Sequence, residues 1–439
     1  MERRDLLKLG LLSSVMTIGN VYGSTESSNQ NIDINKIVNK QRVIIIGGGF
    51  AGLSVAKNIK INYNNVEVFV FESKNIFASC PYSNLWFGGV EGVKYEDLLF
   101  SPLEPAKRYD YRLINDKVIS INRNKKTITT LNSEFEYSLL VIATGIEYNY
   151  ATFGLDENKA KECQNLFPAS YNGGNEQLTL KKKIENFKKG TFLITVPKGT
   201  YRCPPAPYER ACLIANYFKA KKLNAKVVVI DPREKPTTKA KGFLKAFNEL
   251  YKDYIEYLPM SNITNIDTEN KIVYYDTFDS TTKQFIQKKI NFDDANIIPS
   301  NIATKLLKQS GLEITKDGWA KVKSPSFESL NDENIFIVGD ALGEYPFPKS
   351  AQMANSCGII LGEQIAKKLE KKDPQYGTSL PGNVCYSMVS TTTAISVIHQ
   401  AYLENKVVKV KAELFEEADN ATAIATKNWY AGITNNIFE

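Results

Sequence analysis

The stretch QRVIIIGGGFAGLSVAKNIK, residues 41–60, constrains the fold of this chain more than any other. Its apolar run does not alternate, which fits a strand buried on both faces, and the glycines after it open an amphipathic helix. A second strand, VEVFVFE, ends at Glu72. Gly47, Gly49 and Gly52 form G-x-G-x-x-G, and Glu72 follows Gly52 by 72 − 52 = 20 positions. Glycines at this spacing let the backbone turn tightly and approach a pyrophosphate at the helix N-terminus, while the acid can accept from a ribose hydroxyl. Strand, turn, helix and acid together predict a dinucleotide-binding α/β unit.

At 439 residues the chain exceeds what one core serves, so two or three domains are expected. The net charge of +7 comes from dispersed lysines that do not alternate with aromatics in one element, which argues against a nucleic-acid surface. Six cysteines and the single His399 contain no C-x-x-C-H and no C-x-x-C, so no c-type haem, zinc ribbon or thioredoxin motif is expected on this chain. With one histidine, no His-rich metal site is expected either, and His399 lies in the alternating stretch ISVIHQAYL as a packed strand residue.

The first 24 residues, MERRDLLKLGLLSSVMTIGNVYGS, run from paired arginines through an apolar segment to small residues, which is the form of a cleavable export signal. R-R-x-L-L-K resembles a twin-arginine signal. After a linker over 25–40, a mature chain without a membrane span is expected in the periplasm.

Two later strands, EYSLLVIATG ending at Thr144 and Gly145, and ENIFIVGDA ending at Gly339, Asp340 and Ala341, run into small-residue turns. With the glycine turn they resemble the FAD domain of the two-dinucleotide flavoproteins, here discontinuous over 41–148 and 292–372. The resemblance places Asp340 on the ribityl chain and the helix beginning after Lys349 and Ser350 against the flavin, its dipole favouring negative charge there. A second Rossmann-like domain, 149–291, has GTFLITVP as its first strand and AKVVVIDPRE as its next, with Asp231 where the acid belongs. Its turn, however, is KGTYRCPPAPYERAC. Proline supplies no amide hydrogen to a pyrophosphate, so no nicotinamide cofactor is expected. The remainder, 373–439, alternates as antiparallel strands and closes with a helix and tail, a small α+β interface domain.

CPYSN at 80–84, RCPPAPYERA at 202–211, GDA followed by PFPKSAQMANS, NVCYS at 383–387 and NWYAGIT at 428–434 resemble the flavoprotein subunit of flavocytochrome c sulfide dehydrogenase over nearly the whole mature sequence. The resemblance implies FAD joined covalently through Cys80, a redox-active disulfide between Cys203 and Cys385, and Glu209 as the base beside it. It also implies sulfide as substrate, zero-valent sulfur or polysulfide as product, and a c-type cytochrome subunit carrying the haem. Arg210 would pair with Glu209 and Trp429 would wall the cavity, while Cys163, Cys212 and Cys357 are read as buried small hydrophobes. Two rivals stand beside this: a sulfide:quinone reductase, and an accessory thiol-disulfide flavoprotein serving a sulfur-carrier protein.

Overall fold

The computed structural model describes residues 41–343 and 346–439. The expected export signal (1–24) and linker (25–40) lie outside the described residues. Along the chain, the elements that build the site are β1 (Arg42–Ile46), α1 (Phe50–Asn62), β2 (Glu67–Phe71), β3 (Arg112–Ile114), β4 (Leu139–Ile142), β5 (Lys189–Thr195), α2 (Ala206–Ala220), β6 (Asn224–Ile230) and β7 (Ile255–Leu258). They continue with β8 (Asp294–Asn296), β9 (Asp332–Ile337), α3 (Ala351–Leu369), β10 (Gly382–Met388), β11 (Ala394–Glu404), β12 (Val407–Asp419) and α4 (Asn420–Phe438).

Because β1 is apolar on both faces, it sits inside a sheet covered on both sides. It pairs in parallel with β2 (Val43 opposite Val68) and with β4 (Ile44 opposite Leu140). The six-stranded order is Glu328–Ser329, β9, β4, β1, β2, β3, so the late strand β9 completes a sheet begun before the second unit. Such a parallel arrangement requires crossover helices. One of them, α1, packs along α3: a Cβ on Gly358 would stand 2.6 Å from the Ala51 carbonyl oxygen.

The second unit is a parallel sheet in the order β7, β6, β5, β8. Its edge strand β8, residues 294–296, lies beyond the boundary at 291 expected from sequence, because the chain crosses from a three-stranded antiparallel sheet (261–291) straight onto β5. The helix α2 leaves the proline-rich turn and carries Glu209 in its first turn.

The C-terminal unit is an antiparallel sheet of β10, β11 and β12 followed by α4. The Asp419 carboxylate caps α4 by accepting from the Thr422 amide at 2.6 Å. The residues expected as a tail are helical, α4 running to Phe438. Phe438 packs against Phe50, Phe77 and Phe100 of the first unit. Burying such a side chain stabilises by roughly 1.5–3 kcal/mol, and this contact anchors the helix that carries Trp429.

Candidate functional site

A cavity of about 680 Å³ opens where the first sheet, the second unit and the C-terminal unit meet. Gly47, Gly49, Glu72, Cys80, Thr144, Gly145, Cys203, Glu209, Asp340, Ser350, Cys385 and Trp429 all line it. The fingerprint turn shapes one end. Gly47 has φ +109°, and a Cβ there would stand 2.4 Å from the Ala143 carbonyl oxygen. Gly52 does not face the cavity; a Cβ on it would meet the Gly47 carbonyl oxygen at 1.9 Å, so it serves the close packing of α1 on β1. No side chain caps the start of α1, which leaves its first amides available to an anion. Glu72 is held at the rim by accepting from the Gly48 amide (2.8 Å) and the Lys74 amide (2.9 Å).

Asp340 faces the cavity and makes a 2.7 Å ion pair with Arg202. Arg202 also donates to the Tyr171 carbonyl and lines the cavity, yet sequence reasoning passed over it. Ser350 caps α3 by accepting from the Met353 amide. Its neighbour Lys349 does not reach the cavity. The Lys349 ammonium turns inward, donating to the carbonyls of Asp340 and Leu342 and lying 3.7 Å from the centre of the Trp319 ring. Burial pulls its pKa down to about 7, against the pull of the Asp340 carboxylate. The Lys349 side chain is therefore a clasp on the Gly339–Ala341 turn and does not line the cavity.

The proline-rich turn delivers Cys203 with φ +50°, a left-handed conformation costly for a residue with a side chain. Its amide donates to the Lys349 carbonyl at 2.7 Å and its carbonyl accepts from the Ala206 amide at 2.9 Å. Cys385 arrives from β10 on the other side. All six cysteines stand as free thiols, with Cys80, Cys203 and Cys385 partly exposed and Cys163, Cys212 and Cys357 buried. Burial pushes the Cys203 thiol well up, and charge on Cys385, Cys80 or Glu209 pushes it further. Burial also raises Cys385, but Lys239 opposes the shift.

Glu209 is 8% exposed, and both its oxygens are engaged, one by the Asn84 amide group (2.7 Å) and one by the Met388 amide (2.7 Å). Burial raises its pKa, with those hydrogen bonds acting against it. Arg210 does not pair with Glu209. Its guanidinium donates to Asn84 Oδ1 (2.9 Å), Asn296 Oδ1 (2.6 Å) and the Ala169 carbonyl (2.9 Å), so Asn84 stands between the two charged groups. Trp429 is fixed by donating to Gln352 Oε1 at 2.8 Å. His399 is half-buried on β11, against the Asn383 side chain at 2.9 Å, and burial lowers its pKa.

In the second unit, Asp231 is buried at 0% exposure and its carboxylate is consumed internally. It accepts from Tyr208 (2.6 Å) and Tyr257 (2.9 Å) hydroxyls and pairs with Arg233. Among the described residues no cluster of His, Cys, Asp and Glu could hold a metal ion, and no helix is long and apolar enough to cross a membrane.

Three family profiles match the chain. Residues 41–182 match the pyridine nucleotide-disulphide oxidoreductases, residues 177–299 the central part of the sulfide dehydrogenase (flavocytochrome c) flavoprotein chain, and residues 380–438 the flavin-binding part of flavocytochrome c sulphide dehydrogenase. The sulfide:quinone oxidoreductase structure from Aquifex aeolicus superposes with a TM-score of 0.70 at 18% identity, covering 89% of this chain and 90% of that one. The fold and cavity thus define a flavoprotein of the pyridine nucleotide-disulphide oxidoreductase class. Within that class, the matches over residues 177–299 and 380–438 are consistent with a flavoprotein of the flavocytochrome c sulfide dehydrogenase family. Among curated proteins, the mitochondrial sulfide:quinone oxidoreductase of Dictyostelium discoideum is 23% identical over 364 residues, 81% of this chain and 77% of its own length. The type II NADH:quinone oxidoreductase of Staphylococcus haemolyticus is 29% identical over only 124 residues, 27% of this chain.

Proposed function

We propose that this chain is an exported FAD flavoprotein that oxidises sulfide through Cys203 and Cys385 and passes the electrons to a c-type cytochrome. The observation that carries this reading is the convergence of the two cysteines, from different units, on the cavity that begins at the glycine turn. The cavity suits FAD: its glycine turn leaves no room for a Cβ at Gly47, no side chain caps the first α1 amides, and among the described residues the buried Tyr171 hydroxyl on its wall has no protein partner. The residues that would hold the cofactor are Gly47, Gly49, Glu72, Thr144, Gly145, Asp340 and Ser350, with Cys80 as the point of covalent attachment. Bound FAD supplies a two-electron acceptor.

The chain's own residues do the sulfur chemistry. Hydrosulfide attacks the Cys203–Cys385 disulfide, leaving one cysteine as a persulfide and the other as a thiolate. When the attacking species is dihydrogen sulfide, Glu209 takes the proton, a role suited to a carboxyl whose pKa is raised by burial. Trp429 and Tyr386 limit access of water to the cysteines. The proline turn, lacking the amides a pyrophosphate needs, leaves the sulfur substrate as the electron source.

A second reading, reduction of quinone, is favoured by the sulfide:quinone relatives and by exposed Leu403, Val407, Leu414 and Phe415 on the hairpin of β11 and β12. Anaerobic sulfide added to the FAD-loaded protein should bleach the flavin, and Cys203→Ser should slow this at least about a thousandfold, as expected for loss of a group that bonds to the substrate. A flavin that stays oxidised would overturn the reading in favour of an accessory thiol-disulfide flavoprotein. Mixing the bleached protein with a c-type cytochrome or with a soluble quinone then separates the acceptors: rapid reoxidation by quinone alone would replace the cytochrome reading.

A further inference from the structure

Lys239 is 1% exposed, yet among the described residues its ammonium meets no carboxylate in its hydrogen-bonding shell, and the Glu209 carboxylate acts on it only from beyond that shell. It donates to Ser387 Oγ at 2.7 Å and to the Cys385 carbonyl at 3.0 Å, and it stands 3.8 Å from Cys385 Sγ. All three partners are on β10, so the cation is bound to the strand that delivers the second cysteine. An ammonium taken out of water costs several kcal/mol unless an opposite charge or a full set of acceptors meets it. A thiolate on Cys385 would be that charge. Cys203 has no equivalent. The charged groups that act on it are Cys385, Cys80 and Glu209, all of which carry negative charge when ionised, while Lys239 acts on it more weakly than these. Around Cys385 the charged groups are Lys239, on the loop before the helix at Ala240–Lys245, and Glu209 on α2.

Resting on the sulfide chemistry proposed above, we infer that Lys239 makes Cys385 the leaving thiolate, and so directs the incoming sulfur to Cys203. In the step, hydrosulfide bonds to Cys203 Sγ, the Cys203–Cys385 sulfur–sulfur bond breaks, and its electron pair departs on Cys385 Sγ beside the ammonium. Cys203 is left as Sγ–SH and Cys385 as a thiolate, so charge and atoms balance without any further reactant. A disulfide opens faster when the departing thiol is the more acidic one. Lys239 thereby acts on a reacting atom without touching the substrate.

The test uses the reduced holoprotein, iodoacetamide over a range of pH, and peptide mass spectrometry at each cysteine. The pH midpoint for Cys385 should lie at least about one unit below that for Cys203, the size expected for a cation at this distance. Lys239→Gln should raise the Cys385 midpoint by a similar amount, and Lys239→Arg should restore it, which a merely structural role would not do. Oxidised wild-type protein given one equivalent of sulfide, then quenched and digested, should carry the extra sulfur on Cys203. A Cys385 midpoint that ignores Lys239→Gln in a folded variant, or extra sulfur on Cys385, overturns the inference. The alkylation midpoints involve neither sulfide nor electron transfer, so a failed bleaching assay would overturn the proposed function while these midpoints still judge Lys239.

Discussion

After β1 the chain turns through Gly47–Gly49 into α1, and after β5 it turns through Tyr201–Pro205 into α2. The two corners are topologically equivalent, each joining a parallel strand to a helix. The first leaves its helix amides uncapped and has an acid, Glu72, at the rim of the cavity. The second removes amides with Pro204, Pro205 and Pro207, spends its acid, Asp231, on two tyrosines and an arginine, and presents a thiol instead. What differs is which atoms the corner offers: backbone N–H groups that grip an anion, or one side chain that reacts. A fold that supplies two such corners can keep one for a cofactor and give the other to chemistry.

The sharpest way to break this contrast is at the glycine corner. Gly47→Ala would force a Cβ to within 2.4 Å of a backbone oxygen at a left-handed position. It should cost about 1–3 kcal/mol of stability and strip most of the flavin, read from the ratio of flavin to protein absorbance. Full flavin retention would show that this corner is not the cradle.

Next in size is Glu209→Gln, which tests whether the second corner does acid–base work. A base must be deprotonated, and burial raises this carboxyl, so the wild-type rate of flavin reduction should fall as pH drops through a midpoint above the ordinary carboxyl range. The variant should lose about a hundredfold in rate and show no such limb; an unchanged profile would reduce Glu209 to a structural role. The same shift has a sign for stability. A carboxyl whose folded pKa is raised contributes stability below its unfolded pKa, and that contribution is lost as pH rises through the folded pKa.

The smallest effect belongs to Asp231→Asn. It weakens the acceptor for Tyr208, Tyr257 and Arg233, and should cost about 1–3 kcal/mol, seen as a melting temperature lower by a few degrees. NADH titrated into either protein should leave tryptophan and flavin signals unchanged. Saturable NADH binding by the wild type would erase the distinction between the corners.

The glycine turn, the two small-residue turns that line the cavity, and the strands of the C-terminal unit were legible because each is written in local periodicity and turn chemistry. The resemblance supplied roles for Cys203, Cys385 and Glu209, and the structure brings all three to one cavity. What stayed hidden depends on closure of the whole chain. Arg202 meets Asp340 across 138 positions, and Lys239 meets Cys385 across 146. Neither has a local pattern. Asn84 comes between Glu209 and Arg210 because the short helix at Ser83–Phe87 packs on α2, which adjacency in sequence could not show. The Lys349 side chain stays out of the cavity because it reaches back to the carbonyls of Asp340 and Leu342, which its place before α3 does not show. β8 escaped because three residues are too few to carry a period.

Phe438, packed on Phe50, Phe77 and Phe100, has a consequence for the order of events during synthesis. The cavity wall contributed by Cys385, Tyr386, Thr426 and Trp429 lies far downstream of the glycine turn, so the ribosome makes it later. A nascent chain therefore holds Cys203 without its partner until β10 has been made and the C-terminal unit, anchored by Phe438, has docked. Until then the thiol at Cys203 lacks Cys385, so docking of the C-terminal unit acts as a timer on when the reactive pair first meets.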